Sequence, residues 1–175
     1  GALITNIHTG SPADEAGIEP GDVVVAIDGN DVENTGDLSR MVANSEPNQT
    51  ITATIARDGE EQQLEVRLAE RGTDDELAEA ADLWPGLAIV PLNDQLRGRL
   101  NLGQNVSGVA VDRVYPDSPT DSAGVEAGDV ITTVGDTNIT DAGSFYEQLR
   151  SVEQRDRIEL GINRQGSEES VRVRR

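Results

Sequence analysis

Apolar positions along the chain follow two rhythms. Gly108–Val114 alternates loosely and is rich in β-branched side chains, which predicts a strand. Asp129–Val134, Arg157–Ile162 and Glu169–Arg174 read the same way, the last two joined by Arg164-Gln165-Gly166-Ser167. Ala142–Val152 carries Phe145, Leu149 and Val152 at i, i+4 and i+7, the spacing of one helix face, with Thr140 or Asp141 as its N-cap. Asp117-Ser118-Pro119 predicts a turn into a short helix over Thr120–Ala123, which Gly124 ends. Gly135-Asp136-Thr137-Asn138 predicts a hairpin loop, after which Ile139 returns to the core.

The same pattern occurs once before. With a shift of 107 residues, Gly1-Ala2-Leu3-Ile4 falls on Gly108-Val109-Ala110-Val111, and Ser11-Pro12 on Ser118-Pro119. Ala16-Gly17-Ile18-Glu19 falls on Ala123-Gly124-Val125-Glu126, and Gly21-Asp22-Val23-Val24 on Gly128-Asp129-Val130-Ile131. Leu38 meets Phe145, Val42 meets Leu149, and Arg57-Asp58-Gly59 meets Arg164-Gln165-Gly166. Residues 1–68 and 108–175 are therefore two copies of one unit.

Residues 69–83 between them are polar and acidic, centred on Asp74-Asp75-Glu76, and read as a linker with a short helix over 75–82. Trp84-Pro85-Gly86 is a turn into the apolar strand Leu87–Leu92; Asn93 then caps a helix running to Leu100. No such strand and helix precede the first copy. The expected organisation is a first domain over 1–68 that lacks its N-terminal strand and loop, a linker over 69–83, and a complete second domain over 84–175. A chain that opens on a strand-like stretch at Gly1, with no signal peptide, reads as part of something longer.

Composition narrows the function. The 175 residues hold 33 acidic and 14 basic side chains, a net charge of −19, and every basic residue is arginine. Such a charge repels nucleic acid and anionic lipid. No run approaches the roughly 20 apolar residues that span a bilayer. There is no cysteine, hence no disulfide, thiol nucleophile or cysteine zinc site. With aromatics at 2%, the core must be built from Val, Ile, Leu and Ala. The acidity is spread over both copies and peaks in the linker, as a solvated surface suited to high salt rather than a site.

Ser-Pro-Ala, Ala-Gly-Ile and Pro-Gly-Asp-Val-Val, followed by strand, Asp-Gly turn and helix, resemble a PDZ domain of the circularly permuted bacterial kind. The tandem pair resembles the C-terminal half of the HtrA/Deg family of periplasmic serine endoproteases. Site-2 membrane proteases also carry tandem PDZ domains, but Gly86–Asn93 with the helix to Leu100 is more similar to the HtrA/Deg arrangement. The resemblance implies a mainly β fold with short helices (α+β): two PDZ-like, partly open β-barrels. It implies capture of polypeptide C-termini or extended segments of unfolded proteins by strand addition, a homo-oligomeric parent protein, and a periplasmic location.

It also implies a site. The loop from Trp84 through Gly86, Leu87, Ala88 and Ile89 to Val90 would cradle a carboxylate, and Leu87, Ile89, Phe145 and Leu149 would line the side-chain pocket. Ala88 stands where the family often has glycine; Gly86 then supplies the flexibility. Phe145 and Leu149 have a second reading, as ordinary helix core, and Trp84 one as a bridge from the linker. Any charge preference would come from local arginines such as Arg97 or Arg150.

Catalytic chemistry is not expected. A serine triad needs a base, and the sole histidine, His8, sits in a predicted surface turn whose counterpart is Tyr115. The resemblance places the protease triad in a domain ahead of Gly1. Asp28-Gly29-Asn30-Asp31 lacks the glutamate that a calcium loop needs at its twelfth position, where Ser39 stands. No metal cluster or cofactor motif appears, so no cofactor is expected. The rival to peptide binding is a purely structural module that supports assembly.

Overall fold

The computed structural model describes residues 1–69, 83–152 and 157–174. The chain divides into two compact units, Gly1–Asp82 and Leu83–Arg175. The helix expected over 75–82 lies outside the described residues.

The first unit runs β1 (Ala2–Leu3), β2 (Ile7–His8), α1 (Pro12–Glu15), β3 (Val23–Ile27), β4 (Asn30–Asp31), α2 (Thr35–Ala43), β5 (Thr50–Arg57) and β6 (Glu60–Arg67). Its sheet has the order β1-β3-β5-β6, with β4 hairpinned onto β3. The second unit runs β7 (Leu83–Trp84), β8 (Leu87–Pro91), α3 (Asp94–Arg99), β9 (Val109–Val114), α4 (Pro119–Ser122), β10 (Val130–Val134), β11 (Thr137–Asn138), α5 (Ala142–Val152), β12 (Arg157–Arg164) and β13 (Ser167–Arg174). Its sheet has the order β13-β12-β10-β9-β8, with β11 on β10. The fold is mainly β with short helices, and the sheets are open rather than closed barrels.

Matching sequence produces matching local devices. Ser11 and Ser118 cap α1 and α4, each Oγ accepting from the amide of the aspartate three residues on at 3.3 Å. Pro12 and Pro119 follow in the first turn, where a missing N–H costs nothing. Val25 and Thr132 are extra residues where β3 meets β5 and β10 meets β12, a bulge shared by both copies. The β5–β6 turn places Asp58 and Gly59 at positive φ, as the β12–β13 turn does Gln165 and Gly166. Two positive-φ residues in a two-residue loop match the twist of a hairpin. Asp28 and Gly29 do the same between β3 and β4, so that segment is a hairpin turn, and Asp28 Oδ1 accepts from the Thr52 amide at 2.7 Å.

The Gly-Asp-Val stretch has a partner that local pattern did not name. Asp22 and Asp129 are buried at 0% and 1% exposure. Arg57 donates to Asp22 through Nε and Nη2 at 2.7 and 2.6 Å, and through Nη2 to the Gly17 carbonyl at 2.8 Å. Arg164 donates to Asp129 at 2.8 and 2.7 Å, and to the Gly124 carbonyl at 2.8 Å. The amides of Glu19 and Glu126 add a bond at 2.8 Å to each carboxylate. A buried carboxylate is tolerated because it is paired and hydrogen-bonded. The hydrogen bonds they donate to Asp22 and Asp129 hold both guanidiniums above the usual arginine pKa, against the opposing effect of burial. The motif thus ties the exit of α1 or α4 to the last hairpin; it carries no ligand chemistry.

The core is aliphatic. Val24, Ile51 and Ile55 fill the first unit; Val109, Val111, Ile131, Ile139, Ile158, Leu160 and Ile162 fill the second, with Trp84 and Phe145 its largest fully buried side chains.

Candidate peptide-binding edge

Strand β8 ends its sheet. One side pairs with β9, with Leu87 opposite Val114, Ala88 opposite Arg113, Ile89 opposite Val111 and Val90 opposite Ala110. The register slips between Ala88 and Ile89, leaving Asp112 as an extra residue on β9. The Tyr115 amide donates to the Gly86 carbonyl at 2.9 Å. That bond flanks Leu87–Val114, making it a wide, non-hydrogen-bonded pair in the antiparallel ladder. The backbone N–H and C=O of Leu87 therefore point away from β9, toward the outer side of the strand. Helix α5 packs against β8 and β10. Edge strand and helix together have the outline that strand addition needs.

The expected residues separate into three groups. Gly86 is buried in the entry turn, after a cis Trp84–Pro85 bond, with φ +89°. It does not supply flexibility: a Cβ there would lie 2.2 Å from Ser118 Cβ and 2.5 Å from its Oγ. The residue is glycine because the chain passes tightly under α4 in a left-handed conformation. Ala88, Ile89 and Val90 are half-buried along β8, and Leu87 is buried. Phe145 and Leu149 are buried on α5 at 0% and 3% exposure. Phe145, with no exposed surface, belongs to the core. The first copy differs: Leu38 is half-buried and Val42 is 37% exposed, and among the described residues no strand takes the place of β8 beside β1.

Other expectations shift by small amounts. Asp141, not Thr140, caps α5, its Oδ1 accepting from the Ser144 amide at 2.7 Å. That bond holds the exposed Asp141 carboxyl below its usual pKa. Arg97 is occupied, reaching the Val106 carbonyl at 3.2 Å and Asp94 at 3.1 Å. Arg150 is half-buried in the last turn of α5. His8 lies in β2, half-buried, rather than in a surface turn. Trp84 is 1% exposed.

Three residues were not anticipated. Ser118 is fully buried and donates to the Gly86 carbonyl at 3.1 Å. Tyr146 is buried against Phe145, ring centres 5.2 Å apart in an edge-on arrangement. Arg113, opposite Ala88, stacks over the Tyr115 ring at 4.8 Å and puts a cation beside the edge strand. The repeated Ser-Pro was the one signal available for Ser118; nothing local marks the other two. Among the described residues no helix is long and apolar enough to cross a membrane.

Known proteins share this pattern. The PDZ domain family model matches residues 1–68 and 86–174. The chain is 29% identical over 181 residues to a "Probable periplasmic serine endoprotease DegP-like" of Hahella chejuensis, covering 95% of this chain and 36% of that protein. It is 29% identical over 182 residues to the protein of the same description from Brucella suis, covering 97% of this chain and 33% of that one. The chain thus spans about a third of the length of these curated relatives. Among solved structures it is similar to the HtrA3 PDZ domain bound to a phage-derived ligand, with TM-score 0.42 and 21% identity over 51% of this chain and 80% of that one. The repeat, the two sheets of one design and the paired family match have a single meaning: the chain belongs to the PDZ domain family, which it contains twice.

Proposed function

We propose that this chain is the peptide-binding region of an HtrA/Deg-like serine protease. It receives C-termini or extended segments of unfolded proteins as an added strand on the outer side of β8, beside α5. The observation that carries the reading is the edge position of β8, with α5 packed beside it. Gly86, Leu87, Ala88, Ile89 and Val90 line the ligand strand, and Leu149 borders the side-chain pocket, with Phe145 packed in the core behind it. Among the described residues only the second copy (84–175) carries loop, strand and helix together; the first (1–68) shows no such strand and loop among them, and 69–83 are the linker of this reading. The protease chemistry belongs to the parent protein, not to these residues, and the periplasm is its place of action, by analogy with the names of the relatives.

The test is a titration of the chain with peptides ending in an apolar residue, followed at the amides of Leu87–Val90. Saturable shifts there support the reading; shifts confined to residues 1–68 overturn it. The complete burial of Phe145 favours a second reading, an assembly module that supports oligomers and binds no free peptide. No shift anywhere, together with concentration-dependent self-association, would select it.

A further inference from the structure

We propose that Arg113 is a specificity-determining residue of the β8 edge: it selects ligand peptides that carry an acidic side chain at the position before the last. The inference rests on the peptide-binding reading above and deepens it, by naming the class of peptide. Arg113 stands on β9 directly opposite Ala88 of β8. It is exposed, and its guanidinium lies over the Tyr115 ring, 4.8 Å from the ring centre. Among the described residues it takes part in no ion pair, not even with the exposed Asp112 beside it. Arg57, Arg97 and Arg164 are all paired with carboxylates. Arg113 is held by an aromatic face instead, which restrains its position without neutralising its charge. At the shift of 107 residues Asn6 takes its place in the first copy, and His8 that of Tyr115. The first copy thus has neither the cation nor the phenol ring.

The register decides what Arg113 can reach. Side chains alternate across a strand. Leu87 is buried in the core, Ala88 is half-buried, and α5 packs against β8. Ala88 and Arg113 therefore look out from the opposite face of the sheet. A peptide added to the outer side of β8 obeys the same alternation. With its last side chain in the pocket beside Leu149, the one before it projects onto the Arg113 face. Neighbouring strands lie about 4.8 Å apart, so that side chain starts about 10 Å from β9, across Ala88. Ala88 ends at its Cβ and leaves the crossing clear, and an arginine and a glutamate extended toward each other span it. A guanidinium whose face rests on a ring still presents N–H donors at its edge, the geometry that a carboxylate takes. Its prior restraint lowers the ordering cost of the pair. The net charge of −19 acts the other way, repelling acidic peptides at long range, so a preference for an acid at one position needs a local cation.

The experiment uses two synthetic peptides of identical composition and charge. One ends in Glu-Val with a glutamine upstream, beyond the length of β8; the other exchanges the two, ending in Gln-Val. Long-range repulsion is then the same for both, and only the position of the acid differs. Wild type, Arg113→Gln, Arg113→Glu and Arg67→Gln are compared in the whole chain. Arg113 is exposed, so its substitution spares the fold. Wild type is expected to bind the Glu-Val peptide about threefold more tightly, the size of an exposed ion pair. Arg113→Gln should abolish the preference and Arg113→Glu should invert it, an inversion that a merely structural role would not produce. Arg67→Gln, which removes the same charge from the exposed end of β6 in the first copy, should leave the preference intact. Equal affinities or the opposite order in wild type, or a preference that survives Arg113→Gln, would overturn the inference alone. If wild type binds neither peptide, the peptide-binding reading falls, and this inference with it.

Discussion

The guanidinium of Arg164 grips the carboxylate of Asp129 through two parallel hydrogen bonds of 2.8 and 2.7 Å, and Arg57 grips Asp22 in the same way in the first copy. The aspartate side chains are buried, while the arginine side chains keep 29% and 19% of their surface exposed. Removing an arginine would strand a buried charge. Arg164→Met is expected to destabilise the second unit by about 3 kcal/mol, and Asp129→Asn with Arg164→Met by less than the sum of the two single changes. Urea unfolding followed by the fluorescence of Trp84, the sole tryptophan and a buried one in that unit, measures both.

Gly86→Ala forces a Cβ into Ser118 at a backbone φ of +89°. The expected cost is about 2 kcal/mol, from strain in the left-handed region together with the contact. Chemical denaturation of the Gly86→Ala chain, followed by Trp84 fluorescence, measures it. A fully stable Gly86→Ala protein would contradict the close approach described above.

Burial pushes the Tyr146 phenol up to about 12. Below about pH 10 the phenol is neutral in both folded and unfolded chains, and its contribution is fully present. As the pH rises past 10 the unfolded state ionises first, so stability falls until the folded phenol itself titrates near 12. The loss is on the order of 2 kcal/mol. Denaturant midpoints between pH 9 and 12 should show this slope, and Tyr146→Phe should flatten it.

A net charge of −19 with exposed Glu60, Glu61 and Glu65 on β6, and Glu168 and Glu169 on β13, is a self-repelling surface. Screening shortens its reach from about 8 Å at 0.15 M salt to about 3 Å at 1 M. The melting temperature should therefore rise clearly between those salt concentrations; a flat response would mean that the acidic surface costs the fold little.

Local pattern carried most of the fold. The Asp58-Gly59 and Gln165-Gly166 turns, the Ser-Pro helix entries and the face of α5 each depend on sterics and periodicity within a few residues, so they are readable wherever they occur. Boundaries moved where pairing outran the pattern: β12 and β13 extend to Arg164 and begin at Ser167, because the hairpin ladder continues up to its turn. Of the candidate site, Gly86–Val90 was legible as loop and strand by its position ahead of the second copy. The role of Gly86 was not, because its reason is Ser118, 32 residues away.

What the sequence by itself determined is the twofold repeat, the order of strands and helices, the aliphatic core and the acidic surface. Tertiary structure decided which strand is the edge, that Phe145 is sealed while its counterpart Leu38 is not, and which arginine answers each buried aspartate across 35 residues of chain. The division has one physical cause. Turns, caps and amphipathic faces are settled by neighbours along the chain, whereas edges, burial and ion pairs depend on register. A single extra residue, such as Thr132 in β10 or Asp112 in β9, resets which side chains face the core.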